Sequence, residues 1–113
     1  MIVLKPCNKI DDELPFEYEY YYEVYIDDKK IGLSAISTKG NDALYLFLFE
    51  EFRGNNYGTE TFELLLEKFK ELSINQIKLT IDNANIQMIR IIRHHDFKIV
   101  NSGEGFKTYE IKF

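Results

Sequence analysis

The stretch EEFRGNNYGTETFELLLEKFKE, residues 50–71, decides how the whole chain is read. A polar, glycine-containing turn, RGNNYGT (53–59), follows a strongly apolar run, ALYLFLF (43–49), and opens straight into an amphipathic segment. Phe62, Leu65, Leu66, Phe69 and Leu72 recur at the spacing of one helical face, which predicts a helix from about Tyr57 to Leu72. The turn has two readings: a plain strand-to-helix connection, or a loop whose backbone amides hold an anion. Gly54 and Gly58 remove side chains where backbone comes close to another group or takes unusual dihedrals. Asn56 is among the few non-glycine residue types that tolerate the left-handed conformation. The free N–H groups of the first helical turn and the helix dipole add positive potential at the same place. Together these features make a phosphate cradle. It is not a P-loop, because no Lys-Ser or Lys-Thr follows the second glycine, and it lacks the G-x-G-x-x-G dinucleotide fingerprint.

Working outward, residues 2–4 form a short apolar strand ending at Pro6, and Asn8 to Pro15 is a polar loop. YEYYYEVYI (18–26) and IGLSAIS (31–37) are rich in strand formers and are joined by DDKK, so they predict a hairpin. TKGND is another turn, and ALYLFLF has the continuous apolar character of a strand buried on both faces. IKLTI (77–81) is a strand. NIQMIRIIRHH (85–95) predicts a second helix with Met88, Ile89, Ile91 and Ile92 inward and Arg90, Arg93 and His94 outward. FKIV and FKTYEIKF are strands joined by NSGEG. The fold class is therefore α/β, a mixed central sheet of about six to seven strands covered by two main helices, in the order β-β-β-α-β-α-β-β.

The 113 residues suit a single domain, residues 1–113, with one hydrophobic core. A net charge of −5 argues against binding DNA or RNA through phosphate neutralisation. The longest apolar run is far too short to span a bilayer, and the N-terminus has no signal-peptide pattern, so no membrane partner is expected. A single cysteine, Cys7, excludes an internal disulfide and a paired-cysteine zinc site and points to a reducing, cytoplasmic compartment. The HHD run (94–96) does not suggest a metal: neighbouring helical residues point about 100° apart, and the sequence has no further histidine.

Arg53-Gly54-Asn55-Asn56-Tyr57-Gly58-Thr59 resembles the R/Q-x-x-G-x-G/A motif of the GNAT superfamily, the acetyl-CoA-dependent N-acetyltransferases. A second stretch agrees: residues 85–97 resemble the family's later motif N-x-x-S/A-I-R-x-I/Y-x-x-x-G-F, with Asn85, Ile89, Arg90, Ile92 and Phe97 matching. The resemblance runs from about residue 18 to the C-terminus and lies closest to the branch that acetylates the N-termini of ribosomal proteins. It implies acetyl-CoA as co-substrate, no metal, and an amine-bearing acceptor, either a small molecule or a protein. It also implies that the backbone amides from Gly54 to Thr59 hold the pyrophosphate of coenzyme A, and that the backbone of Leu48 and Phe49 pairs with its pantetheine arm. Asn85 either hydrogen-bonds that arm or caps its helix. Departures from the family pattern are Asn56 for the first motif glycine, Asp96 for the later glycine, and Ile92 where a proton-donating tyrosine is frequent. About fifteen residues precede the first long strand, too few for the two helices that usually wall the acceptor site.

Transfer to an amine requires loss of a proton, because a lysine-type amine with a pKa of roughly 10.4 is largely protonated at neutral pH. Asp42 is the first candidate base, with a turn residue as the plain alternative, and Glu50 and Glu51 are further candidates beside the turn. Thr108 and Tyr109 on the last strand are candidate proton donors. Against the enzyme stands a second reading, an acyl-CoA-binding or interaction module with this fold and little or no catalysis. The short N-terminal region also predicts exposed apolar side chains on YYYEVYI and IGLSAIS, and hence a homodimer.

Overall fold

A computed structural model describes residues 1–8, 18–39 and 42–113. The expected polar loop after Asn8 lies outside the described residues, as do positions 40 and 41 of the TKGND turn. The elements are β1 (Ile2–Cys7), β2 (Tyr20–Ile26), β3 (Lys29–Ile36), β4 (Leu44–Leu48), a 3₁₀ turn (Glu50–Phe52), α1 (Tyr57–Glu71), β5 (Gln76–Asp82), α2 (Ile86–Ile92), β6 (Lys98–Gly103) and β7 (Phe106–Lys112). The mixed α/β class and the two helices are as expected, and seven strands are present among the described residues. They form two antiparallel sheets, β1-β2-β3-β4 and β5-β7-β6.

The sheets meet at one place. The Ala43 N–H donates to the Lys78 carbonyl at 3.3 Å, and the Thr80 N–H donates to the Asp42 carboxylate at 3.1 Å. Asp42 adopts the left-handed conformation, φ 46°, which turns its side chain across to β5. No other backbone hydrogen bond joins β4 to β5 among the described residues.

Strand alternation then decides which side chains enter the core. Ile2 and Leu4 of β1, Tyr22 and Val24 of β2, Ile31 and Ile36 of β3 and Leu44, Leu46 and Leu48 of β4 all belong to the apolar clusters under α1. From α1, Phe62, Leu65, Leu66 and Phe69 meet them, while Ile77, Leu79 and Ile81 of β5 and Ile92 of α2 close the other side. Phe62 is fully buried, stacked on Phe97 at 6.0 Å and edge-on to His95 at 5.4 Å.

Five sequence expectations need correction. Pairing in β1 continues through Pro6 to Cys7, because β1 is an outer strand where a residue without an N–H is tolerated. β4 is not buried on both faces, and Phe47 is 40 % exposed. It has a partner strand on one side only, and past Ala43 the second sheet diverges from it. The tyrosine strand is less exposed than expected: Tyr21, Tyr22 and Val24 are buried within the chain, as are Ala35 and Ile36 of β3. α2 ends at Ile92, and residues 93–96 form a turn. The β6–β7 connection is only Glu104 and Gly105, since pairing extends through Gly103.

α1 ends in a Schellman motif: Ile74 N–H reaches the Phe69 carbonyl at 2.9 Å and Ser73 N–H the Lys70 carbonyl at 3.0 Å, with Ser73 left-handed at φ 60°. Ser73→Gly is expected to raise stability by about 1 kcal/mol, since glycine adopts that conformation without a Cβ clash. Phe62→Ala is expected to lower it by about 3–5 kcal/mol. Urea denaturation checks both.

Candidate functional site

Because the sheets join at one end of β4 and part at the other, a groove of about 610 Å³ opens beside β4. Leu46, Phe47 and Leu48 of β4 form one wall. Arg53, Gly54, Asn56, Gly58 and Thr59 form its end, and Asn85, Gln87, Met88, Arg90, Ile91 and His94 form the wall on the α2 side. The motif from Arg53 to Thr59 and the residues around α2 thus face each other across one space.

The turn before α1 is shaped by two left-handed residues, Gly54 at φ 84° and Asn56 at φ 62°. Asn56 is the N-cap of α1, but its side chain caps nothing. The first intrahelical partner is used by Glu60, whose N–H donates to the Asn56 carbonyl at 3.2 Å. The amides of Tyr57, Gly58 and Thr59 therefore have no hydrogen-bond acceptor among the described residues. Gly58 keeps the space in front of them narrow but clear: a Cβ there would meet Ile91 Cδ1 at 3.2 Å and Leu48 Cδ1 at 3.7 Å. Three unpartnered amides at a helix N-terminus, facing a groove, are suited to an anion of phosphate type.

The β4 wall offers a second set of backbone groups. The Phe49 N–H donates to the Ile31 carbonyl at 2.9 Å and Ser37 N–H to the Ala43 carbonyl at 2.7 Å, so the odd-numbered residues of β4 pair with β3. Leu46 and Leu48 turn their backbone groups to the open edge. There the Leu48 carbonyl accepts from Arg53 Nε at 2.9 Å, which lays the guanidinium over the Phe47 ring at 5.3 Å.

The structure brings together most of the residues singled out in the sequence, but not all. Leu48, Arg53, Gly54, Asn56, Gly58, Thr59 and Asn85 line the groove. Asn55 does not, and Phe49 has its amide committed to β3. Tyr57 supplies an amide while its half-buried side chain packs against the cluster of Ile2, Val24 and Ile31. The Asn85 side chain caps α2, accepting from Met88 N–H at 3.2 Å. Glu50 and Glu51 sit in the 3₁₀ turn, exposed, and do not line the groove. His94 faces the groove, whereas His95 packs against Phe62 and Phe97, so the two histidines diverge. Ile92, at the position of the family's tyrosine, is buried in the core. Among the described residues no three His, Cys, Asp or Glu side chains gather as a metal site, and no helix is long and apolar enough to cross a membrane.

Asp42 lies at the joined end of β4, six residues from Leu48, roughly 20 Å along a strand. Thr80, whose N–H it accepts, places its hydroxyl 3.1 Å from that of Thr108. Tyr18 lies beside Tyr21 and Tyr45, with ring centroids at 6.2 Å and 6.3 Å. Burial, followed by the nearby Asp42 carboxylate, pushes the Tyr18 phenol up to about 12, so it stays protonated at neutral pH. This tyrosine cluster around Asp42 joins residues far apart in sequence, which local patterns cannot reveal. Gln87, Arg90, Ile91 and His94 line the groove, but no local pattern sets them apart from ordinary helix surface.

Residues 4–97 match the acetyltransferase (GNAT) family, and the chain belongs to it. The match starts earlier than the motif resemblance, taking in β1. Solved structures share the fold at low sequence identity. An acetyltransferase of Bacillus subtilis in complex with CoA superposes with a TM-score of 0.80 at 12% identity, covering 100% of this chain and 99% of that one. The N-acetyltransferase PseH of Campylobacter jejuni, in complex with acetyl coenzyme A, gives 0.75 at 18% identity, covering 99% of each chain. A GNAT family acetyltransferase from Elizabethkingia anophelis with acetyl-CoA bound gives 0.73 at 10% identity, covering 99% of this chain and 98% of that one. No curated protein has a significant sequence match.

Two glycines give opposite tests of how the groove walls are held. At Gly32 on β3 a Cβ would lie 2.3 Å from the Phe47 carbonyl oxygen, so Gly32→Ala is expected to push β4 away and cost about 1–3 kcal/mol. At Gly54 a Cβ would meet nothing within 4 Å, so Gly54→Ala carries only the left-handed strain, about 1–2 kcal/mol. Denaturant midpoints measure both costs.

Proposed function

We propose that this protein is an N-acetyltransferase that moves the acetyl group of acetyl-CoA to an amine-bearing acceptor, a small molecule or a protein. The observation that carries this reading is the row of unpartnered amides from Tyr57 to Thr59 at the end of a groove whose long wall is an unpaired strand edge. A diphosphate fits the amides, and a chain bearing amide groups fits the edge offered by Leu46 and Leu48. Coenzyme A has both parts in sequence, and its acetyl thioester supplies the group transferred. With the phosphates at the cradle, its arm would run along β4 toward Asp42.

At that end the acceptor amine needs a proton acceptor before its lone pair attacks the thioester carbonyl. The Asp42 carboxylate has one oxygen engaged by Thr80 N–H and a second to receive that proton. The departing sulfur needs a proton donor, and the Tyr18 phenol, which burial and the Asp42 carboxylate hold protonated, is the candidate at that end. The acidic chain suits a cationic acceptor. The single cysteine suits a reducing, cytoplasmic setting. A second reading, a coenzyme A-binding module with little catalysis, is favoured by buried Ile92 and by Glu50 and Glu51 lying off the groove. A homodimer would cover Val3 and Phe47, exposed on the face of the first sheet away from α1.

Coenzyme A at ~100 times its dissociation constant should stabilise the fold by about 2.7 kcal/mol, and Gly58→Val should abolish that shift. Equal thermal shifts in the two proteins would sink the binding reading. Asp42→Asn retains an oxygen for Thr80 N–H, so it should fold normally. It should bind coenzyme A unchanged and release thiol with an amine panel roughly 100-fold more slowly or worse. Wild-type turnover would move the base to Glu50, Glu51 or water, and no turnover in either protein would favour the binding module. Light scattering at micromolar concentration tests the dimer, and a mass of one chain refutes it.

A further inference from the structure

The charge around the groove departs from that of the chain. The sequence holds 19 acidic and 14 basic residues, yet among the described residues no Asp or Glu lines the groove, while Arg53, Arg90 and His94 do. These three side chains are not equivalent. Arg53 stands on the β4 side with Nε bonded to the Leu48 carbonyl and its guanidinium over Phe47. Arg90, on α2, and His94, in the turn that follows it, both line the opposite wall. Both are exposed, and neither has an ion-pair or hydrogen-bond partner for its side chain among the described residues. Ile91 packs toward Gly58, which sets this pair beside the first turn of α1.

A diphosphate is already provided for by the three amides and by Arg53. Two unpartnered side chains suited to an anion therefore remain on the α2 wall. We propose that Arg90 and His94 receive a third anionic group, the phosphomonoester on the ribose of coenzyme A, and that they are what distinguishes coenzyme A from its dephospho form. The inference rests on the coenzyme A reading above and adds to it a specificity-determining pair. Chemistry supports the assignment: a guanidinium binds a phosphate dianion through paired, charge-assisted hydrogen bonds, and an imidazole N–H on the same groove wall adds a further one.

Isothermal titration of the full chain with coenzyme A and with 3′-dephospho-coenzyme A tests the proposal. The wild type should bind coenzyme A roughly tenfold or more tightly than the dephospho compound, the gain expected of one charge-assisted contact. Arg90→Gln should weaken coenzyme A by about that factor and leave the dephospho compound within about twofold, so that the discrimination collapses. His94→Gln should reduce it partially. Both positions are exposed, so folding is not at stake, and circular dichroism confirms it. Equal wild-type affinity for the two compounds, or equal weakening of both by Arg90→Gln, overturns the proposal while leaving the coenzyme A reading intact. Absence of binding to either compound overturns that reading and the proposal with it.

Discussion

Two hydrogen bonds, Ala43 N–H to Lys78 and Thr80 N–H to the Asp42 carboxylate, tie sheet to sheet at one end of β4, and the groove exists because nothing among the described residues repeats them at the other. An unpaired strand edge inside a protein is ordinarily a liability, since its N–H and C=O groups lack partners. Here the open edge at Leu46 and Leu48, where Arg53 takes the Leu48 carbonyl, lies next to the unpartnered amides of α1. Two incomplete hydrogen-bonding surfaces, a strand edge and a helix end, thus face one space. A ligand that is a phosphate at one end and a chain of amides further along completes both.

The core makes this arrangement stable without closing it. α1 covers the four-stranded sheet with Phe62, Leu65, Leu66 and Phe69 and simultaneously contacts β5 and α2 through the same cluster. The separation of the sheets is therefore bridged below by packed apolar side chains rather than by backbone bonds. Gly32 lets β4 lie close against β3, and Gly58 lets α2 lie close against the start of α1. The groove is bounded on both sides by these close approaches.

The legible parts of the sequence were those fixed by local chemistry. The helix over residues 57–71 follows from its apolar period, and the cradle from glycine and asparagine at positions that the structure places at positive φ or in close contact. What stayed illegible depends on contacts between distant residues. The Asp42–Thr80 bond spans 38 positions, and the Tyr18–Tyr45 contact joins two different strand regions. A continuous apolar run such as β4 looks the same whether both faces are covered or one borders a groove. The apolar pattern of α2 persists beyond its end at Ile92, into a turn where His95 and Phe97 still pack inward on Phe62. For Arg90 and His94, polarity alone does not distinguish open surface from the rim of a binding groove.

A cradle made of backbone amides also has a consequence for how such a chain can drift over evolutionary time. Every residue except proline carries the same N–H, so the amides of Tyr57 and Thr59 present the same donors whatever side chains those positions bear. Selection on the cradle can act strongly only where the backbone path itself is demanding, at left-handed Gly54 and Asn56 and at crowded Gly58. The strand edge at Leu46 and Leu48 is equally indifferent to side-chain identity as long as the residue packs. A binding site of this kind can persist while nearly all of its letters change, in keeping with folds that superpose at TM-scores of 0.73 to 0.80 while sharing only 10% to 18% of their residues. Its ancestry is recorded in the course of the main chain more durably than in the alphabet that encodes it.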